Sequence, residues 1–236
     1  MGMTQNQKSL FCTVPQLQKI PFLIHGFGTR ALTESAMEKK PEWKDFTLVS
    51  LRQMHSDSIH HIKVPPLERL SGDALITDRP HVLLSIRTAD CLPVLFVSEE
   101  HKAIAAVHCG WRGTCKSLVQ KVVETMGHKF GIRPSSLVVV LGPSVEQGCY
   151  EVGDDVKDSF QDRETASRFF KPSPNRKEKY FFDLKEMNRF QLLAVGVEDK
   201  NIHSVNRCTV CDKKYFSYRR DKNETGRMIN FIGMSI

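Results

Sequence analysis

The chain has no apolar run approaching the roughly 20 residues needed to cross a bilayer. Its N-terminus, MGMTQNQKSLF, lacks the apolar stretch of a secretory signal, and Asn6 breaks the myristoylation pattern that Gly2 would open. Membrane association is therefore not expected, and cytoplasmic localisation is. Blocks of like charge are also missing. The formal net charge is +7, but Lys and Arg are scattered and often adjoin acids, as in Asp212-Lys213-Lys214 and Asp221-Lys222-Asn223-Glu224. That pattern describes a basic solvated surface with some pull on anionic small molecules, not a nucleic-acid footprint. No repeat and no low-complexity linker interrupts the sequence, so one α/β domain over residues 1–236 is expected.

The cysteines exclude a disulfide scaffold. There are seven, an odd number, and their spacing is unlike that of a small secreted framework. Reduced thiols are expected, with Cys12, Cys109, Cys115 and Cys149 as packing residues. Cys208-Thr209-Val210-Cys211 is a CxxC, but the second pair that a closed four-ligand zinc site requires is absent from the sequence. A redox role for the pair lacks thioredoxin-like surroundings.

What is present is organised around Ser85 to Thr114. Val82 to Ile86, Leu92 to Val97 and Ala103 to Val107 are short apolar runs of strand character, and Ser98 to Lys102 is polar enough to connect the last two as a hairpin. Cys91 stands just before one strand and His108 just after the next. An antiparallel pairing would make them neighbours at one sheet edge although 17 positions separate them. Another β-rich run, Phe46 to Leu51, leads into His55, so all three side chains can share one rim. Two imidazoles and a thiolate suit zinc and leave a fourth position for water or substrate. Taken singly, they also read as a surface histidine, a small buried hydrophobe and a strand-end histidine.

The remaining elements follow from periodicity and breakers. Strands are expected from Pro21 to Thr29, over Gly72 to Thr77, Leu137 to Leu141, Tyr215 to Arg219 and Met228 to Ile232, and a further short segment from Ser58 to Val64 ends at Pro65-Pro66. Helices are expected from Thr33 to Lys40 (stopped by Pro41), Asp154 to Phe160 and Leu184 to Val195. Leu118, Val119, Val122, Val123 and Met126 recur at helical spacing, with Gly127 placed to stop that helix. Lys171 to Lys179 is the most loop-like segment.

Eight motifs then occur in a telling order: QMHS from Gln53, GDALIT from Gly72, RTADCLPVLF from Arg87, AAVHCGWRGT from Ala105, LGPSVEQGCYEVG from Leu141, YFFDL from Tyr180, CT at Cys208 and FSYRRDKNETGR from Phe216. Together they resemble the YfiH family, also called the laccase-domain or multicopper polyphenol oxidase family, which includes purine nucleoside phosphorylases of broad specificity. The resemblance spans nearly the whole chain and implies an α/β sandwich of mixed sheets flanked by helices. It implies one zinc ion on His55, Cys91 and His108. It also implies phosphorolysis of adenosine, inosine, guanosine and methylthioadenosine, with deamination of adenosine to inosine. Inorganic phosphate is then a co-substrate and a purine nucleoside the small-molecule partner, with no nucleic acid, membrane or protein partner. A guanidinium suits phosphate because it is planar, always charged and binds two oxygens at once. Arg112 is the first candidate, with Arg52 and Arg219 as helpers; clamping Asp90 or Asp73 is the structural alternative for Arg112. Trp111 and Tyr218 are candidates to stack on a purine, or else belong to the core. Cys109 stands where relatives often carry Ala, beside His108.

Two other classes remain consistent with these residues. A thiol hydrolase would use Cys91 as nucleophile and His108 as base, with His55 dispensable; a related role is hydrolytic editing of peptidoglycan precursors, nucleotide-linked amino-acyl sugars. A pure binding protein is the other. A multicopper oxidase, suggested by the older family name, needs His-x-His pairs, and this chain has none.

Overall fold

Central strands that are buried on both faces need continuous apolar sequence rather than alternation, and the runs around Cys91 have that character. In the computed structural model, which describes residues 10–38, 43–222 and 225–236, they form the middle of a layered α/β sandwich. In chain order the strands are β1 (Phe11–Cys12), β2 (Leu23–Gly28), β3 (Thr47–Ser50), β4 (Ile59–His61), β5 (Ala74–Thr77), β6 (Val82–Thr88), β7 (Leu92–Ser98) and β8 (Ala103–Cys109). They continue with β9 (Val138–Leu141), β10 (Glu151–Gly153), β11 (Phe170–Pro172), β12 (Lys179–Phe182), β13 (Ile202–Ser204) and β14 (Met228–Met234). The helices are α1 (Pro15–Gln18), α2 (Glu34–Glu38), α3 (Trp111–Cys115), α4 (Leu118–Phe130), α5 (Asp154–Lys157), α6 (Arg163–Ser167), α7 (Leu184–Ala194) and α8 (Tyr218–Asp221).

A six-stranded mixed sheet, ordered β13-β9-β7-β8-β5-β4, packs against a five-stranded one, ordered β1-β2-β14-β6-β3. Between them lie Leu95, Ile104 and Ala106 on one side and Leu84, Ile86 and Ile232 on the other. The opposite face of the larger sheet, with Val94, Phe96, Ala105 and Val107, is covered by Val119, Val122 and Met126 of α4 and by Leu184 and Leu192 of α7. Every residue of β7 and β8 is buried, and each fully buried large aliphatic or aromatic side chain contributes about 1.5–3 kcal/mol of transfer free energy. This dense core fixes the hairpin ends on which the site stands. Among the described residues, no helix is long and apolar enough to cross a membrane.

Two expectations about elements are corrected. Helix α4 does not stop at Gly127 but runs to Phe130 and ends on Gly131, whose φ of +73° is the left-handed cap. Gly127 is instead a packing position, since a Cβ there would meet the Ile132 carbonyl oxygen at 3.2 Å. The segment Tyr215 to Arg219 is not a strand. Its β-propensity loses to a local cap: Ser217 Oγ accepts from the Arg220 N–H at 3.1 Å and starts α8. The helix expected from Thr33 to Lys40 is seen as α2, with Lys39, Lys40 and Pro41 outside the described residues. The small sheet β10-β12-β11 flanks the segment read as most loop-like; its strands of 3, 4 and 3 residues leave little periodic signal.

Candidate active site

The β7–β8 hairpin pairs Leu92 with Cys109 and Pro93 with His108. Cys91, immediately before β7, therefore lies beside the end of β8. His108 sits inside β8 rather than beyond it. His55 arrives from outside the sheet, on a turn where its φ is +57°, a conformation costly for a residue with a Cβ. Gln53 holds that turn in place: its side chain accepts from the Arg87 N–H at 2.7 Å and donates to the Arg87 carbonyl at 2.8 Å. The three donor atoms of His55, Cys91 and His108 lie within 4.8 Å of one another. Cys91 Sγ is 3.9 Å from His55 Nε2, and the two imidazole rings meet edge to face at 4.9 Å. His108 is buried, Cys91 half-buried and His55 exposed, so the trio has one open face.

A residue read from the sequence only as a carboxylate that Arg112 could clamp organises this group. Asp73, with no exposed surface, receives the backbone N–H groups of His55 at 3.1 Å and Ser56 at 2.6 Å. It also accepts the Ser56 hydroxyl at 2.6 Å and contacts His108 Nδ1 at 2.8 Å. One carboxylate thus sets the turn carrying one imidazole and the orientation of the other, whose Nε2 is left for the trio. A lone acid in the Gly72-Asp73 turn, opening an otherwise apolar strand, was the available signal. Gly110 belongs to the same packing: a Cβ there would stand 3.0 Å from both Cys91 Sγ and His55 Cδ2.

The electrostatics follow from these contacts. Burial opposes a charged Cys91, but His108 and His55 beside it outweigh that and bring the thiol down to about 6. Burial likewise opposes charge on His108, and the Cys91 sulfur and Asp73 carboxylate raise the imidazole to about 9. Against its own burial, Asp73 is held well below the usual carboxylate range by His108 and Ser56. Without a metal, these opposite shifts favour a thiolate on Cys91 and a proton on His108. With one, the carboxylate–histidine contact is the arrangement that fixes a metal ligand's tautomer. The donor set, its spacing and its open face fit a single divalent ion such as zinc.

Two cavities share the wall made by His55, Ala89, Cys91 and Tyr218. The larger, about 650 Å³, is lined by Trp111, Tyr150, Leu184 and Tyr218 together with Arg112 and Arg219. The smaller, about 480 Å³, carries Arg52, Arg69, Arg87 and Arg227. Among the described residues, Arg112 clamps no carboxylate. Its guanidinium lies 4.3 Å from the Trp111 ring centroid, while Asp73 is engaged as described and Asp90 accepts from the Thr209 hydroxyl at 2.7 Å and the Arg219 N–H at 2.6 Å. Arg219 donates to the Glu151 carbonyl at 2.7 Å. Burial raises the Tyr150 phenol above its ordinary range, so it remains an O–H donor on the cavity wall.

Residues 31–235 match the family described as multi-copper polyphenol oxidoreductase laccase. The chain belongs to this family. Its relatives include the purine nucleoside phosphorylase YlmD of Geobacillus stearothermophilus, 37% identical over 210 residues and covering 81% of this chain and 75% of that protein. A purine nucleoside phosphorylase of Clostridium acetobutylicum is 38% identical over 214 residues, covering 88% of this chain and 87% of the relative. Among solved structures, G. stearothermophilus YlmD superposes with a TM-score of 0.81 at 27% identity, over 96% of this chain and 99% of that one. Bacillus licheniformis YfiH superposes at 0.80, also at 27% identity, over 90% and 92%. The family's sandwich of mixed sheets and helices is the fold observed here.

Proposed function

We propose that this protein is a purine nucleoside phosphorylase, acting on adenosine, inosine, guanosine and methylthioadenosine, that also deaminates adenosine, with residues 1–236 serving as one catalytic domain. The observation that carries this reading is the convergence of His55, Cys91 and His108 on the wall between an aromatic cavity and an arginine-lined one. The names of the relatives at 37% and 38% identity support the substrate class.

His55, Cys91 and His108 would hold one zinc ion, which supplies Lewis acidity at the shared wall. Trp111 and Tyr218 border the larger cavity and offer ring faces to a purine. Arg112, exposed and without a carboxylate partner among the described residues, is assigned the phosphate. Arg219 lies beside it, and Arg52 contributes to a second cationic wall. In phosphorolysis a phosphate oxygen bonds to the anomeric carbon as the glycosidic C–N bond breaks. The base leaves with the electron pair and gains a proton, yielding free purine and ribose 1-phosphate. The guanidiniums hold the anion at that carbon, and Tyr150 offers an O–H to the departing base. Deamination consumes water and releases ammonia, and Asp73 keeps His108 oriented throughout. Zinc-loaded protein incubated with adenosine should release adenine only when phosphate is added, and inosine with or without it. Neither product appearing would remove the proposal.

A second reading is favoured by one specific observation. The Cys91–His108–Asp73 series, with the thiol lowered to about 6, has the order of a nucleophile, its base and an orienting carboxylate. A thiol hydrolase built this way would keep its turnover in His55→Ala and after chelation, and would lose it on alkylation of Cys91.

A further inference from the structure

We propose a second metal site, made by Cys149, Cys208 and Cys211, that binds a thiophilic ion such as zinc and ties two pocket-bearing loops together. It uses no residue of the His55–Cys91–His108 trio and does not depend on the function proposed above. The CxxC at Cys208 lacked a second half in the sequence, and Cys149 reads there as a packing thiol. The fold supplies the missing ligand across 59 positions of chain, from Cys149 to Cys208.

The sulfurs of these three residues lie within 4.8 Å of one another, and those of Cys149 and Cys211 are 3.4 Å apart. Two sulfurs on one tetrahedral zinc, each at about 2.3 Å, stand roughly 3.8 Å from each other, so little movement closes the site. All three thiols are free, and Cys211 is exposed while the others are half-buried, which gives the ion an entry path and a fourth position open to solvent. A sulfur cluster of this kind is not packing, because a packing thiol seeks carbon neighbours.

The backbone around Cys208 has the form that stabilises a metal thiolate. The N–H groups of Glu146, Val210 and Cys211 lie close enough to its sulfur to favour negative charge there, against the burial that opposes it. Donors two and three residues after the first cysteine of a CxxC turn can therefore spread the charge of a ligating sulfur. The loops are already in register: Thr209 donates to the Ser144 carbonyl at 3.1 Å, and Ser144 donates to the Arg207 carbonyl at 3.3 Å. Binding replaces thiol protons by one ion and needs no oxidant. Zinc and other soft ions accept three thiolates with a further donor.

The site stands behind the cavity wall. Tyr150, next to Cys149, lines the larger cavity, and Thr209, next to Cys208, donates to Asp90 beside Cys91. A metal staple here holds both.

The test is zinc content by mass spectrometry of reduced, zinc-equilibrated and desalted protein. Wild type should carry two equivalents; Cys211→Ser and Cys149→Ser should each carry one, as should His55→Ala, and Cys211→Ser combined with His55→Ala none. Cobalt loaded into His55→Ala should give the near-ultraviolet absorption of a multi-thiolate site, lost on adding Cys211→Ser. Circular dichroism melts confirm that each variant is folded. One equivalent in wild type, unchanged in Cys211→Ser and Cys149→Ser, would overturn the proposal. So would a Cys149–Cys211 disulfide that resists reduction and leaves the ion only the Cys208 thiol. Because the thiol trio is read in the His55→Ala background, its failure and that of the first site are separately visible.

Discussion

Asp73 shows how much one buried charge can determine. Its carboxylate faces His108 Nδ1 and four polar hydrogens from the turn over Met54, His55 and Ser56. Asp73→Asn keeps the shape but replaces an acceptor by an amide and removes the charge. Metal affinity at the trio should fall roughly 10–100-fold, the usual effect of losing such a support, as measured by competition with a chromophoric chelator. The ionisation of the ligands makes a second prediction. Between about 6 and about 9, Cys91 is a thiolate and His108 a cation. Zinc uptake in that window must displace about one proton, from His108, because only the neutral imidazole ligates. Affinity should therefore rise about tenfold per pH unit across it and level off above. A flat profile would show that the pair is not ionised in this way.

At the scale of elements, the expectations succeeded where burial decides. The runs at Leu92 and Ala103 are strands because both faces of their sheet are covered, and that hairpin puts Cys91 beside His108. They failed where a local hydrogen bond outranks propensity. Tyr215, Phe216 and Tyr218 look like strand residues, yet Ser217 starts a helix whose Arg219 N–H donates to Asp90, the residue before Cys91. Ser217→Ala should lower stability by about 1 kcal/mol, read from the urea midpoint. It should also loosen the Asp90 contact, so turnover drops by more than that loss of stability alone explains. Asp73 and Cys149 were not legible as site residues for a different reason: an isolated acid and an isolated thiol carry no period or spacing, and only the tertiary fold gives them partners.

For the molecule as a whole, the two-sheet sandwich brings together pieces from residue 51 to residue 227 around one pair of cavities. The order of motifs along the chain made that convergence readable, while the crossovers linking β2, β14 and β6 or β13 and β9 were not, because no local signal fixes strand order. The same burial that rigidifies the sandwich sets its acid limit. His25, on β2, is buried and accepts the Val14 N–H at 2.9 Å through Nε2. Burial lowers its pKa from 6.5 to about 4. The unfolded chain then binds more protons than the native one between those values, so this contribution is intact above 6.5 and lost progressively as pH falls towards 4. Unfolding free energies at about pH 7.5 and pH 4.5 should differ by roughly 2–3 kcal/mol more in wild type than in His25→Gln. An equal decline in both would place the acid sensitivity elsewhere.

The central claim is that His55 completes a metal centre instead of standing beside a reactive thiol. Zinc content and phosphate-dependent release of adenine, measured together on His55→Ala and wild type, test it most directly. His55→Ala should fold, lose the ion at this site and lose turnover by at least about 100-fold, as removal of a group essential to catalysis does. A variant that keeps wild-type turnover without the ion would contradict it and leave the chemistry to Cys91, His108 and Asp73.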